Sequence, residues 1–397
     1  MRIAIFSDVF YPELSGVSDS VVSLSKELAK QGHFINFYVP RYSPEDYKKV
    51  GVPEKEPDFG QNIKIVRFSS IHISAGTGQG RGVIPSFWRW REVKKFRPDV
   101  IHAQLFFGVG LEALIASRRI GVPLIGTNHT AVKEFLRYSP VRSERTDRWI
   151  LQYVNWYYGK CVLTTAPSQS VIDEMERYGF KGKSAVLSNP IDTNVFRPAG
   201  NKTALKKKYG LSDFCLMYAG RLAPEKNVDV IIKALALAKK SIPEAQLAIA
   251  GTGTEEQNLK HLAGSLGVEK SIKFLGFLDH AKLAEAYNAS EAFVMMSTSE
   301  TQGLVMMQAM ACGIPVIGAR ARALPEYINT ENGILVEPDD HKTLAEKIVF
   351  LLTNDNVRKK LGAGARESVQ KFSAPAVAKE WEQIYERAIA DYNRSNR

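Results

Sequence analysis

Short apolar runs and longer amphipathic stretches alternate along almost the whole chain. RIAIFSD near the start, FINFYVP from Phe34 and VPLIGT from Val122 are apolar runs bounded by polar or glycine-containing segments. Runs of that length predict strands buried on both faces of a sheet. Between them, SDSVVSLSKELAKQGH, GLEALIASRRIG and DRWILQYVNWYYGKC repeat apolar residues at helical spacing, as helices with one face on a core do. FRPDVIHAQ reads as a strand entry, and VLTTAPSQSVIDEMERYG as a strand followed by a helix. The rhythm breaks at Asn189–Asn201 (NPIDTNVFRPAGN), rich in Pro, Asn and Gly, and then restarts. FCLMYAGR, AQLAIAGTG, SIKFLGFL, EAFVMMS and IPVIGA read as strands. NVDVIIKALALAKKSIP, TEEQNLKHLAGSLG, HAKLAEAYNAS and GLVMMQAMACG read as the helices between them. Such alternation predicts parallel sheets covered on both faces. The expected fold class is α/β, with two doubly wound Rossmann-like domains over residues 1–195 and 196–373. Ligands of open α/β sheets bind beyond the carboxyl ends of the strands, so the cleft between the two domains is the expected site.

Composition narrows the class. Of 397 residues, 45% are hydrophobic and 24% charged, as in globular proteins in water. No apolar run approaches the ~20 residues that span a bilayer. MRIAIF leads directly into a strand, so no secretory leader is expected. Cys161, Cys215 and Cys312 form no CxxC pair, which fits a reducing compartment and argues against disulfides or a thiolate metal site. A cytoplasmic setting is expected. The net charge is +11, with 26 Lys and Arg against 18 Asp and Glu over residues 1–190, leaving 27 against 24 in the rest. The basic first half points to anionic partners, phosphates or an acidic membrane surface, or else serves solubility. Without zinc spacing, an RNP-like aromatic motif or a contiguous basic stripe, nucleic acid is not an expected partner.

The loops after the second domain's strands carry the candidate chemistry. YAGRLAPEKN places Gly220 and Arg221 at a strand tip, with Lys226 following; IAGTGTEE supplies Gly251 and Gly253 before a helix. LGFLDH puts Gly276 to Leu278 at a third tip, and SETQGL sets Glu300 ahead of a helix opening near Gly303. Glycines at strand–helix junctions let backbone N–H groups approach an anion, and a helix N-terminus favours negative charge. Such loops converging on one sheet edge, with an Arg and a Lys among them, predict a diphosphate site. No Asp-x-Asp occurs in the chain. The usual paired-carboxylate metal clamp is therefore missing, and Arg221 and Lys226 are expected to neutralise the leaving diphosphate instead. The competing reading makes them surface ion pairs with Glu225 or Asp229.

Tyr218–Gly318 resembles the second domain of retaining nucleotide-sugar glycosyltransferases of the GT-B architecture, family four. The signature is a carboxylate, a glycine three positions on, a second glutamate eight positions after the first, then AMA-GxPV. Here it reads Glu300, Gly303, Gln308 and AMACGIPVI. YPELSGVSDSV resembles the family's glycine loop after the first strand and TNHT its active-site histidine loop; APSQSV, NPIDTNVFRP and GRLAPEKNVD also match. The resemblance covers nearly the whole chain. It implies an acceptor-binding first domain and a nucleotide-sugar-binding second domain facing each other across a cleft, with the last helix, 374–392, packing back on the first. It implies that Arg221 and Lys226 hold the diphosphate, with Gly220 and Gly251 in the donor loops. Glu300 would touch the sugar hydroxyls, and backbone N–H groups of Gly303, Leu304 and Val305 would hold sugar and phosphate. Gly16 would let the first-domain loop close over the phosphates, His129 would face the sugar, and Leu278 would pair its backbone with the base. Position 308 would bind the ribose diol.

That position departs from the pattern. A carboxylate accepts from both ribose hydroxyls, whereas an amide offers one acceptor and one donor group, a loss of about 1–3 kcal/mol. The alternative leaves Gln308 as polar helix surface. The first loop also departs, with Ser15-Gly16 where paired glycines are commoner. His129 could instead be a satisfied polar core group; His102, in IHAQ, reads as structural.

A retaining transfer needs a nucleophile or same-face attack, and no carboxylate nucleophile is placed near the expected sugar site; the resemblance implies front-face attack, with the leaving phosphate helping to deprotonate the acceptor. No cofactor or metal is expected. IPSFWRWREVKKFR (Ile84–Arg97) combines Trp88 with Arg89, Arg91, Lys94 and Lys95 on an expected helix, which reads as a membrane-surface element or as an ordinary helix against the sheet. FLRYSPVRSERTDRW adds basic and aromatic residues after His129. The closest look is to family members that glucosylate diacylglycerol, which would place the protein peripherally on the inner face of the membrane. Alternatives are a soluble sugar acceptor, or an epimerase of UDP-sugars with the same two-domain plan.

Overall fold

The computed structural model describes residues 1–13, 15–73, 80–130 and 143–395. The chain divides into two compact units, Met1–Pro190 with Ala374–Arg397, and Ile191–Ser373. The first change-over falls at Pro190, just inside the Pro/Asn/Gly-rich break.

The first unit is built on a seven-stranded sheet in the order β3-β2-β1-β6-β7-β8-β9. Its strands are β1 (Arg2–Phe6), β2 (Phe34–Pro40), β3 (Ile63–Phe68), β6 (Val100–Ala103), β7 (Leu124–Thr127), β8 (Leu163–Ala166) and β9 (Ser184–Val186). A separate antiparallel pair, β4 (Ile71–His72) and β5 (Arg81–Gly82), interrupts the numbering. All pairings in the large sheet are parallel. Side chains alternate across a strand, so β1 feeds two layers. Ala4 and Phe6 pack with Tyr157 and Tyr158, while Ile3 and Ile5 pack with Leu24, Trp381 and Tyr385. The last two residues come from the terminal helix Ala374–Ser395, whose Glu382 also meets His33 Nε2 at 2.9 Å.

Two local features near the first sheet's carboxyl edge follow from polar capping. Asp8, just past β1, accepts hydrogen bonds from the backbone N–H groups of Val109 (2.7 Å) and Gly110 (3.2 Å), capping the helix Gly108–Ile120. The Ile84–Arg97 stretch is helical only over Trp90–Phe96. Upstream, Ser86 N–H and Arg89 Nη1 both donate to the buried carboxylate of Glu112, at 2.5 and 2.8 Å. Those bonds, and Pro85 without an N–H, hold residues 84–89 out of the helix.

The second unit carries a six-stranded sheet in the order β12-β11-β10-β13-β14-β15. The strands are β10 (Cys215–Ala219), β11 (Gln246–Ala250), β12 (Ile272–Gly276), β13 (Ala292–Met295), β14 (Val316–Ala319) and β15 (Gly333–Val336), all parallel. One apolar cluster, with Met217, Ile231, Phe293, Met306 and Leu344 among its members, fills both faces. At the amino end of β13, buried Glu291 gathers Lys202, Lys206 and Arg358 within 2.9 Å. In both sheets the strand order reverses beside the first strand, at β1/β6 and at β10/β13. The crevice at the carboxyl ends there is where such sheets take ligands.

Candidate active site

Four loops leave the carboxyl ends of β10 to β13, and backbone bonds tie them side by side. Gly220 N–H donates to Ala250 O at 2.9 Å, Leu222 N–H to Thr252 O at 3.0 Å, and Gly251 N–H to Gly276 O at 2.8 Å. This closeness requires glycine. A Cβ on Gly251 would lie 1.9 Å from Gly220 O, and the residue's φ is 139°, a conformation that side chains disfavour. On the other side, Thr298 N–H donates to Glu225 O at 3.2 Å and Asn227 Nδ2 to Met296 O at 3.0 Å. Arg221, Lys226, Gly251, Leu278 and Glu300 thus lie on loops of one edge, around the β10/β13 reversal.

Lys226 Nζ lies 2.6 Å from Glu300 Oε1, with the two side chains only 16% and 15% exposed. Burial pushes the Glu300 carboxyl up, but the Lys226 charge and hydrogen bond, then Ser297 and Arg221, hold it below the usual carboxylate range. Glu300 is therefore an anion, able to accept from sugar hydroxyls. Arg221 Nη2 pairs with Glu225 Oε1 at 2.7 Å, the partner that the competing reading gave it; the guanidinium is 44% exposed and Glu225 is buried. Asp229 takes Lys233 instead, at 2.7 Å.

Gly303, at φ 81° in the left-handed region, caps the helix Leu304–Ala311. The N–H groups of Gly303, Leu304 and Val305 have no acceptor within that helix. One turn on, the Gln308 amide oxygen is buried without a hydrogen-bond partner, unlike a polar residue on a solvated helix surface. Leu278, between β12 and the helix His280–Asn288, packs half-buried against the core.

Two backbone features escaped the sequence pattern. Asn227 (φ 49°) and Arg322 (φ 51°) are in the left-handed region. Asn227 has a local signal, since asparagine tolerates that region and caps helices. Arg322 has none. Its neighbour Ala323 donates N–H to Glu300 O at 3.4 Å, so the loop after β14 joins the same edge.

In the first unit, Gly16 opens the helix Gly16–Lys30, whose cap Ser15 accepts from Ser18 N–H at 3.1 Å. His129 lies just beyond β7, its Nε2 at 2.7 Å from Gln104 Oε1. Burial lowers its pKa to about 4, so the imidazole is neutral near pH 7. His102 is wholly buried between Tyr385 and Thr127. Gln104 was missed from sequence, although its two-residue spacing from His102 puts both on one face of the extended chain.

Trp88 is 65% exposed, and Arg91 stacks 5.1 Å from its ring. Lys94 and Lys95 are exposed. Arg89 differs: it turns inward to Glu112 and Ile84 O. Residues 135–142 of the second basic-aromatic stretch lie outside the described residues; the rest opens the helix Glu144–Tyr158, with Trp149 and Trp156 exposed. Among the described residues, no helix is long and apolar enough to cross a membrane, and no cluster of His, Cys, Asp or Glu could hold a metal ion.

HepE of Anabaena, in complex with UDP, superposes on this chain with a TM-score of 0.76 at 20% identity, covering 98% of this chain and 100% of that one. The fold is GT-B, two Rossmann-like halves on parallel sheets. The family model described as Glycosyltransferase Family 4 matches residues 14–195, and Glycosyl transferases group 1 matches 201–368. The alpha-monoglucosyldiacylglycerol synthase of Acholeplasma laidlawii is 25% identical over 97% of this chain and 96% of its own length. The enzyme of that name from Streptococcus pneumoniae is 29% identical, over 80% and 70% respectively. The chain belongs to the family 4, group 1 glycosyltransferases and is a nucleotide-sugar glycosyltransferase.

Proposed function

We propose that this enzyme transfers a hexose, with retention and without a divalent metal, from a UDP- or GDP-sugar to a hydroxyl of a membrane lipid such as diacylglycerol. The observation that carries the reading is the Lys226–Glu300 pair at 2.6 Å, set just before the helix start at Gly303. It joins a cation for the diphosphate, an anion for the sugar hydroxyls and a set of backbone N–H groups on one edge. An ammonium has three donors, so Lys226 can keep Glu300 while binding a phosphate oxygen. Arg221 adds a second cation beside it.

In the reaction, the bond between the anomeric carbon and the diphosphate breaks as the acceptor oxygen forms the new glycosidic bond on the same face. The acceptor's proton passes to the departing diphosphate. Arg221, Lys226 and the helix start stabilise charge that grows on that group, and Glu300 orients the sugar. Gln308 would meet the ribose, and Leu278 the base through its backbone.

The lipid acceptor draws support from the names of the two related synthases and from Trp88 with Arg91, Lys94 and Lys95, basic and aromatic residues suited to an anionic membrane surface. The test is to incubate the full chain, in EDTA, with radiolabelled UDP- and GDP-sugars, with and without anionic vesicles containing diacylglycerol. Labelled lipid is expected. Label on a soluble sugar would overturn the acceptor, an altered free nucleotide sugar would indicate epimerisation, and activity restored only by Mn²⁺ would remove the metal-free scheme.

A further inference from the structure

One left-handed residue separates the short turn that carries Lys226 from the helix behind it. Pro224–Lys226 is a single 3₁₀ turn, and the next helix is Val228–Ala238. Asn227 stands between them at φ 49° and ψ 41°. A right-handed residue at that point would let turn and helix run together, and Lys226 would project from a continuous helix. The side chain of Asn227 makes no cap bond to the helix it precedes. Its Nδ2 donates instead to Met296 O at 3.0 Å, just past the end of β13, and Met296 is wholly buried. Beside this bond, Thr298 N–H donates to Glu225 O at 3.2 Å, and Lys226 Nζ lies 2.6 Å from Glu300 Oε1. Residues 225, 226 and 227 are thus each tied to the chain leaving β13, by a backbone bond, a charged pair and an amide. Glycine would accept the same φ at less cost, but it could not reach Met296 O. Asparagine supplies both the conformation and the tie. A lysine ammonium rides on a flexible four-carbon stem, so it is only as well placed as the backbone beneath it.

We propose that Asn227 is a positioning residue: its amide, bonded to Met296 O, fixes the backbone under Lys226 and so holds the ammonium beside Glu300, where the departing diphosphate needs it. The effect on turnover rests on the reading of Lys226 given under Proposed function; the placing of Lys226 does not. Asn227 acts through its neighbour and not through a contact of its own with the donor.

The test uses the full chain and its Asn227→Gly variant, which keeps the left-handed conformation and removes the amide. Trace acetylation with acetic anhydride, read by mass spectrometry of the peptides, measures how well each lysine is shielded. Lys226, 16% exposed and paired with Glu300, should acetylate slowly in the wild type. Relative to Lys30, 67% exposed, its labelling should rise several-fold in Asn227→Gly. The variant's kcat should fall roughly tenfold, with the KM for the sugar nucleotide much less affected, because charge grows on the diphosphate only as it leaves. In a Lys226→Ala background the same substitution should cost less than about twofold, since a tie that acts through Lys226 then has nothing to place. Unchanged labelling of Lys226, or an equal loss of turnover with and without the lysine, overturns the proposal. So does loss of the far-ultraviolet circular dichroism of Asn227→Gly, which would make the bond one that the fold itself needs. Full turnover in Lys226→Ala would overturn the diphosphate reading instead, while the labelling still decides whether Asn227 places the lysine.

Discussion

Lys226 and Arg221 carry the same formal charge but sit in different surroundings, and their removal should differ. Lys226→Ala leaves the carboxylate of Glu300, 15% exposed, without its 2.6 Å partner, and removes a cation from the proposed phosphate site. Turnover should fall about a hundredfold or more. Arg221 is 44% exposed and shares its charge with Glu225; its Ala variant should lose about tenfold, because screening by water is stronger there. Steady-state rates with the sugar nucleotide decide the matter, and near-normal turnover in both would put the diphosphate elsewhere. The unpartnered Gln308 oxygen leads to a second outcome. Gln308→Glu supplies a charged acceptor for both ribose hydroxyls, and nucleoside diphosphate binding should strengthen by about 1–3 kcal/mol in calorimetry. Unchanged affinity would mean that the side chain does not meet the ribose.

Loops joined by their backbones behave as one element, and Gly251 is where that element is least tolerant. Gly251→Ala brings a Cβ to 1.9 Å from Gly220 O at φ 139°, adding a backbone clash to roughly 1–3 kcal/mol of conformational strain. The loops after β10 and β11 must part, so nucleotide affinity should drop sharply while far-ultraviolet circular dichroism stays close to wild type. Normal affinity would show that the spacing of these loops does not matter to binding. This loop edge was legible in advance because Arg221, Lys226, Gly251, Glu300 and Gly303 follow short, uniformly apolar runs that only buried central strands produce. Of the edge strands, β12 was legible in SIKFLGFL, whereas β3, β9 and β15 were not. In β3, IKIVRF mixes charged with apolar residues, and β9 spans only three residues. The helix expected through Ile84–Arg97 shrank to Trp90–Phe96 because Glu112, distant in sequence, captures Ser86 and Arg89. The hydrogen bond between His129 and Gln104 lay out of reach for a similar reason: the two side chains come from the edge of β6 and the tip of β7, and periodicity does not pair them.

At the scale of the whole molecule, the first unit holds four ionisable groups neutral near pH 5, and they act on stability in opposite directions. Burial raises Asp8 from 3.8 to about 6, against the pull of the Val109 and Gly110 N–H groups, and raises Glu13 from 4.5 to about 7, against the Tyr42 hydroxyl. Burial lowers His102 and His129 from 6.5 to about 3 and about 4. In the unfolded chain near pH 5 both histidines are protonated and both carboxyls largely ionised; in the folded chain both are reversed. Unfolding then takes up about as many protons at the histidines as it releases at the carboxyls, so these groups leave stability nearly flat between about pH 5 and pH 6. Below about pH 4.5 the unfolded carboxyls also bind protons, the cancellation ends, and stability falls with acidification. Asp8→Asn breaks the balance while keeping an oxygen that can accept from Val109 or Gly110 N–H. The unfolded state of this variant binds about one proton more than the folded state across the window, so its stability should rise with pH by roughly 1.4 kcal/mol per unit. Urea unfolding at several pH values between about 5 and 6 measures this slope directly. A variant with the same slope as the wild type would mean that Asp8 is already ionised in the folded protein, and that the cap on the helix Gly108–Ile120 is a carboxylate rather than a carboxylic acid.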